Sequence, residues 1–258
     1  MSSENVILAT DGHIATITLN RPEKLNAIEP TMLARLEEIA GELERRDDVR
    51  AVVLTGAGAR AFSVGADIDA WSALQPLDMW RRWVRNGHRV FERLARLRQP
   101  LIAALNGYAF GGGLELALAA DIRLAAAEAE FAMPEVTIAT VPGWAGTQRL
   151  PALIGPARAK QLIFTGARVD AATAERWGLI NEVMPRAELL ARARSLAEAI
   201  AANAPVSVQI AKQVIDGASD AAGVALEALA GALAATTDDA REGLASFRER
   251  RPPQFSGS

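Results

Sequence analysis

Two short unbroken apolar runs constrain the fold most: AVVLTG at residues 51–56 and LIAAL at residues 101–105. Runs of this length without polar alternation read as buried strands. Each is followed by an irregular glycine-bearing segment and then by residues of helical character. After the first comes GAGARAFSVGADIDAW and a helical stretch over residues 77–97; after the second comes the turn GYAFGGG and a short helix. DIRLAAA is a further strand candidate. The repeated order of strand, irregular turn and helix indicates an α/β fold.

The ends of the chain differ from this middle. Residues 6–19 alternate around Asp11-Gly12 and predict a hairpin. Met32, Leu33, Leu36, Ile39, Ala40 and Leu43 recur at helical spacing and predict a helix over residues 30–46. Beyond Ala145 only INEVM still looks extended, and helices are expected over 186–202, 206–217, 221–236 and 238–250. The expectation is an α/β core over residues 1–190 and a helical segment over 191–258. The 53 alanines suit close helix packing, on the chain's own core or against a partner subunit.

Composition removes several chemistries. Among 258 residues there are two histidines, His13 and His88, and no cysteine. Zinc and iron–sulfur sites draw on Cys and His, and a hydrolase triad needs a His beside its nucleophile, so no metal site is expected. A disulfide framework is impossible. With 28 basic and 31 acidic residues the net charge is −3, and no basic stripe points to nucleic acid. The longest uncharged run, residues 99–114, is too short to span a bilayer, and the polar start MSSENV does not read as a signal peptide. A cytoplasmic protein without membrane contact is the expectation. Any catalysis falls to carboxylates, hydroxyls and backbone amides.

VVLTGAGARA matches the loose dinucleotide pattern through Gly56, Gly58 and Ala61, but no helix opens inside the glycine turn, as such a site requires. Three other segments carry more: AFSVGADI, NGYAFGGGLELALAADI and FAMPEVTIATVPGWAGTQRL. Taken singly, each has an ordinary explanation. Gly65 suits a turn, Gly111 to Gly113 a helix entry, and Glu115 the first turn of a helix, where the dipole favours a carboxylate. Taken together they describe a site. Glycine turns free backbone N–H groups that can stabilise an oxyanion. Glu115 follows one such turn, and Glu135 follows Pro134. Two carboxylates beside an oxyanion hole suit proton transfer at carbons next to a thioester carbonyl.

At these residues the sequence resembles the crotonase superfamily, the enoyl-CoA hydratases and isomerases. The match runs through RPEKLNAI, AVVLTG, AFSVGADI, LNGYAFGGGLELALAADI, FAMPEV, VPGWAGTQRLP, IFTG and EGLASFRERRPPQF. The resemblance implies a crotonase-like spiral of ββα units with a helical C-terminal trimerisation region, assembled as a homotrimer or homohexamer. It implies an acyl-CoA thioester substrate from fatty-acid or related metabolism and no cofactor beyond the CoA the substrate carries. It places oxyanion-hole amides on Ala66 and Gly112 and catalytic carboxylates on Glu115 and Glu135. Lys24, Ala27, Ala66, Asp67, Ile68, Gly112, Pro134, Gly143 and Trp144 become the expected substrate contacts. Retention of both glutamates favours hydration of a 2-enoyl-CoA to the 3-hydroxyacyl-CoA. Isomerisation of a 3-enoyl-CoA is the alternative, and a non-catalytic RNA-binding relative a further one. Three positions depart from the pattern. Ala132 stands where glycine is usual, Trp144-Ala145-Gly146 replaces the usual continuation of P-G, and Asp69 stands where many relatives carry lysine. The segment from Trp71 to Trp83 reads as an amphipathic helix or as a border of the acyl pocket.

Overall fold

The computed structural model describes residues 4–72, 74–217, 229 and 231–258. The expected hairpin forms: β1 (Val6–Asp11) pairs antiparallel with β2 (Ile14–Leu19), and Gly12 takes φ +57° in the turn between them. β2 then pairs in parallel with β3 (Ala51–Gly56), and the sheet continues through β5 (Leu101–Leu105), β7 (Ile122–Ala126) and β10 (Glu182–Met184). Every residue of β3 and β5 is buried, because both faces of this sheet are covered. Helix α1 (Pro30–Leu43) buries the predicted stripe from Met32 to Leu43 in the main core. On the opposite face, Leu189, Ala193 and Ala197 pack against Ile14, Val53, Ile102 and Leu124. These three belong to a helix, Arg186–Ala201, that contains the position where the core was expected to give way to a separate segment.

A second sheet is built from β4 (Ala61–Ser63), β6 (Tyr108–Phe110), β8 (Glu130–Ala132) and β9 (Val169–Asp170). β4 and β6 lie inside segments that read as irregular, since three residues are too few to display a period. β4, β6 and β8 run parallel, and β9 closes the sheet antiparallel. The chain therefore passes from the large sheet to the small one three times, β3 to β4, β5 to β6 and β7 to β8, winding as a spiral of ββα turns. All three short strands point the same way, so the residues that follow them emerge together. Those residues are Gly65-Ala66, Gly111-Gly112 and Pro134-Glu135.

The helices complete the spiral. After α2 (Ile68–Trp71), the expected stretch over 77–97 forms as three consecutive pieces, α3 (Pro76–Asp78), a π-helical Met79–Val84 and α4 (Arg85–Ala95). The short α5 (Gly112–Ala117) follows the glycine turn as expected. Three helices appear where sequence periodicity showed none: α6 (Gly146–Ile154), α7 (Pro156–Thr165) and α8 (Ala171–Trp177). Pro151 lies inside α6 and Pro156 opens α7, so the proline signals that normally mark a helix break fall within helical chain. Beyond α9, the Arg186–Ala201 helix, come α10 (Pro205–Gly217) and a last helix, Asp238–Glu249. The helix expected over 221–236 lies largely outside the described residues. No helix among the described residues is long and apolar enough to cross a membrane.

One loop residue fixes the start of the spiral. Leu25 and Asn26 both take left-handed backbone angles, φ 53° and 55°, a region that asparagine tolerates better than most residues. Asn26 is fully buried, donates from its amide to Ala57 O and Ala61 O at 3.0 Å each, and accepts from Arg21 N at 2.9 Å. It thus ties the RPEKLNAI loop to the β3–β4 connection. Asn26→Ala removes all three bonds, although Ala61 O keeps a second donor, Asn106 Nδ2 at 3.2 Å. A loss of about 2–4 kcal/mol in unfolding free energy is expected from urea denaturation.

Candidate active site

The first turn follows β4. Gly65 takes φ +92°, which only glycine adopts without strain. Its carbonyl accepts from Ile28 N at 2.7 Å, and Asp67 N donates to Ile28 O at 2.8 Å. Ala66 lies between these two bonds on a parallel bridge to Ile28, so its own N–H points to the other side. It donates to no acceptor among the described residues.

The second turn follows β6. Gly111, at φ +49° and ψ −125°, donates to Ala132 O at 2.9 Å and reverses the chain into α5. Gly112 opens that helix, where N–H groups have no intrahelical partner. The two turns touch: a Cβ on Gly112 would come 3.4 Å from Ala66 N. Two unpaired amides therefore lie side by side.

Glu115 sits one turn into α5 and is 2 % exposed. Its Oε1 accepts from Trp144 N at 2.7 Å and from Gly146 N at 2.8 Å. Both donors reach one oxygen because Ala145, between them, adopts φ +78°. Successive N–H groups around a left-handed residue form a concave anion seat. Ala145 occupies the backbone region where glycine is relaxed, at a cost of about 1–3 kcal/mol. This accounts for the departure noted in the VPGWAGTQRL segment: the turn keeps its geometry with an alanine under strain.

Glu135 enters from β8 through Pro134, at the start of the 3-10 turn Glu135–Ile138. Its carboxylate lies against the second glycine turn, since a Cβ on Gly111 would meet Oε1 at 2.8 Å. Its Oε2 is buried without a hydrogen-bond partner among the described residues. An unpaired buried carboxylate oxygen is costly unless the group is neutral or meets a ligand.

Burial dominates the electrostatics of both carboxyls. It pushes Glu115 up, opposed by the N–H groups of Gly146, Trp144 and Gly143 and by the nearby Arg149 guanidinium. Arg149 is itself held by Glu92 at 2.6 Å. Burial pushes Glu135 to about 7, with Glu115 adding to the rise against a bond from its own backbone. Both carboxyls are raised; three backbone N–H groups oppose the rise at Glu115, while the Glu115 charge adds to the rise at Glu135.

The four groups face one cleft of about 150 Å³. Of the expected substrate contacts, Ala66, Ile68, Gly112, Pro134, Gly143 and Trp144 line it, together with Glu115 and Glu135. Lys24, Ala27 and Asp67 do not. Asp67 is committed to Arg21 at 2.5 Å and caps Asp69 N, and the Arg21 bond holds its carboxyl below the usual range. Lys24 is exposed, with its Nζ 3.8 Å from Asp69. Ala27 is buried within the RPEKLNAI loop. The remaining wall comes from Gly111 and from mostly apolar side chains, among them Val64, Trp71, Met79, Trp83 and Val84. The cluster of aromatic residues between 71 and 83 signalled part of it, although Trp80 within that cluster faces solvent. Two free amides and two carboxyls around an apolar cleft can stabilise an oxyanion and move protons beside it.

A sequence model of the enoyl-CoA hydratase/isomerase family matches residues 9–258. The chain is 41 % identical over 254 residues to the short-chain-enoyl-CoA hydratase of Clostridium acetobutylicum, covering 97 % of each chain. It is 39 % identical over 257 residues to the (E)-benzylidenesuccinyl-CoA hydratase of Thauera aromatica, covering 98 % of this chain and 99 % of that one. The crystal structure of an enoyl-CoA hydratase from Bacillus anthracis superimposes with a TM-score of 0.95 at 38 % identity, over 98 % of this chain and 100 % of the other. With its spiral of ββα turns and a match from Ala9 to the last residue, the chain belongs to the enoyl-CoA hydratase/isomerase family.

Proposed function

We propose that the cleft adds water across the 2,3 double bond of a 2-enoyl-CoA to give the 3-hydroxyacyl-CoA. The observation that carries this reading is the pair of buried carboxyls in opposite roles, Glu115 held by backbone donors and Glu135 with an unpaired oxygen, beside two free amides. The thioester oxygen lies at the Ala66 and Gly112 N–H groups. Carbons 2 and 3 then lie beneath the carboxyls. Glu115, as the carboxylate, takes a proton from water while the water oxygen bonds to carbon 3. The electron pair of the double bond moves toward the thioester oxygen, and the neutral Glu135 delivers its proton to carbon 2. The cycle closes when the proton on Glu115 returns to Glu135 through solvent.

In this reading the CoA belongs to the substrate and no other cofactor takes part. Lys24, beside Asp69 and so near Ile68 of the cleft wall, is the cation assigned to the CoA phosphates. Within residues 191–258, the helices beyond α9 are assigned to subunit contacts in a homotrimer or homohexamer, supported by Leu244 and Phe247 of the last helix, 60 % and 84 % exposed.

Crotonyl-CoA is expected to be hydrated, and Glu115→Gln and Glu135→Gln each to lower kcat by about 10²–10⁴ while CoA-ester binding survives. Full activity in either variant contradicts the assigned roles. A 3-enoyl-CoA offered instead distinguishes an isomerase, which stops at the conjugated thioester.

The pH dependence of stability follows from Glu135. Its folded-state value, about 7, lies above the ordinary 4.5, so the folded state binds this proton more tightly than the unfolded one. The stability it contributes is complete below about 4.5 and is lost as pH rises through about 7. Urea denaturation from pH 5 to 8 should show the wild type losing stability relative to Glu135→Gln over that window. Parallel pH profiles contradict it.

A further inference from the structure

The main-chain N–H of Trp144 holds Glu115, but its indole serves a different purpose. The ring is 3 % exposed and lies between α4 and α5. It meets Phe91 edge-on at 5.1 Å and 73°, and Trp83 at 5.3 Å and 51°. A glycine faces it from each helix. A Cβ on Gly87 would come 2.2 Å from the indole Nε1, and one on Gly112 would come 2.6 Å from Cζ3. Both values are too short for any real contact, so the indole occupies space that any larger residue at either position would take. Gly87 is an interior position of α4, where glycine costs about 1 kcal/mol relative to alanine. The helix bears that cost at the point where the ring packs.

The cleft is a consequence of this wedge. Met79, Trp83, Val84 and Trp144 line the same cleft as Ala66, Gly112, Glu115 and Glu135, and so form the apolar wall available to the acyl tail beyond carbon 3. The whole cleft measures about 150 Å³. We propose that Trp144, seated on Gly87, is the specificity-determining stop of the acyl pocket and favours short acyl groups over long ones. Among the described residues no cationic side chain lines the cleft, so an acyl group with a distal carboxylate is disfavoured as well.

This inference rests on the proposed acyl-CoA site, and its test is built so that the two can fail separately. Binding of saturated butyryl-CoA and decanoyl-CoA, measured by calorimetry, needs no turnover. The wild type should bind butyryl-CoA at least as tightly as decanoyl-CoA, and Trp144→Ala should move that ratio toward decanoyl-CoA by about 10–200-fold. Trp144→Phe, which keeps an aromatic ring in the seat, should move it in the same direction by less. Where turnover is present, the decenoyl-to-crotonyl ratio of kcat/KM should follow the binding ratio. A wild type that binds decanoyl-CoA more tightly overturns the proposal without any variant being needed. So does a folded Trp144→Ala or Trp144→Phe with an unchanged ratio. Binding that follows this pattern without hydration of either enoyl-CoA upholds Trp144 as the stop and defeats the hydratase reading.

Discussion

The N–H groups of Trp144 and Gly146 hold Glu115 Oε1 at 2.7 and 2.8 Å, and the rest of the site depends on that anchor. A carboxylate 2 % exposed, with a second carboxyl beside it, would otherwise take up a proton. The backbone supplies donors without supplying a neutralising side-chain charge inside the cleft. Glu115 can therefore be the charged member of the pair, and its charge helps keep Glu135 protonated near neutral pH. The same turn carries Trp144 into the wall, so one strained residue, Ala145, sets both the chemistry and the shape of the pocket.

The convergence of distant segments has a simple topological cause. Three parallel three-residue strands end at one level, and each releases one component there: an amide after β4, an amide after β6 and a carboxyl after β8. Glu115 joins them because α5 begins immediately after the second turn. The large sheet and its two covering layers supply the burial that makes these groups effective, because hydrogen bonds and charges act more strongly where water is excluded.

Much of this was legible in the sequence. The runs AVVLTG and LIAAL, the hairpin and α1 follow from apolar periodicity, and the glycines at 65 and 111 mark backbone that few other residues adopt. The short strands β4 and β6 were not legible, because their order comes from neighbours far away in sequence. Helices α6 to α8 were hidden by prolines and by weak apolar stripes. Within the expected site, Asp67 looked available for substrate, but its partner Arg21 is 46 residues away and no local signal pairs them. Gly87 gave no sign of its role either, since a glycine inside a helix declares its reason only when the opposing ring is seen.

The central claim is that this cleft adds water to carbon 3 of a 2-enoyl-CoA. The most direct measurement is mass spectrometry of crotonyl-CoA incubated with the protein in oxygen-18-labelled water. The expected product carries one labelled water, with the heavy oxygen on carbon 3. Recovery of unlabelled thioester under conditions where the CoA ester binds would contradict it.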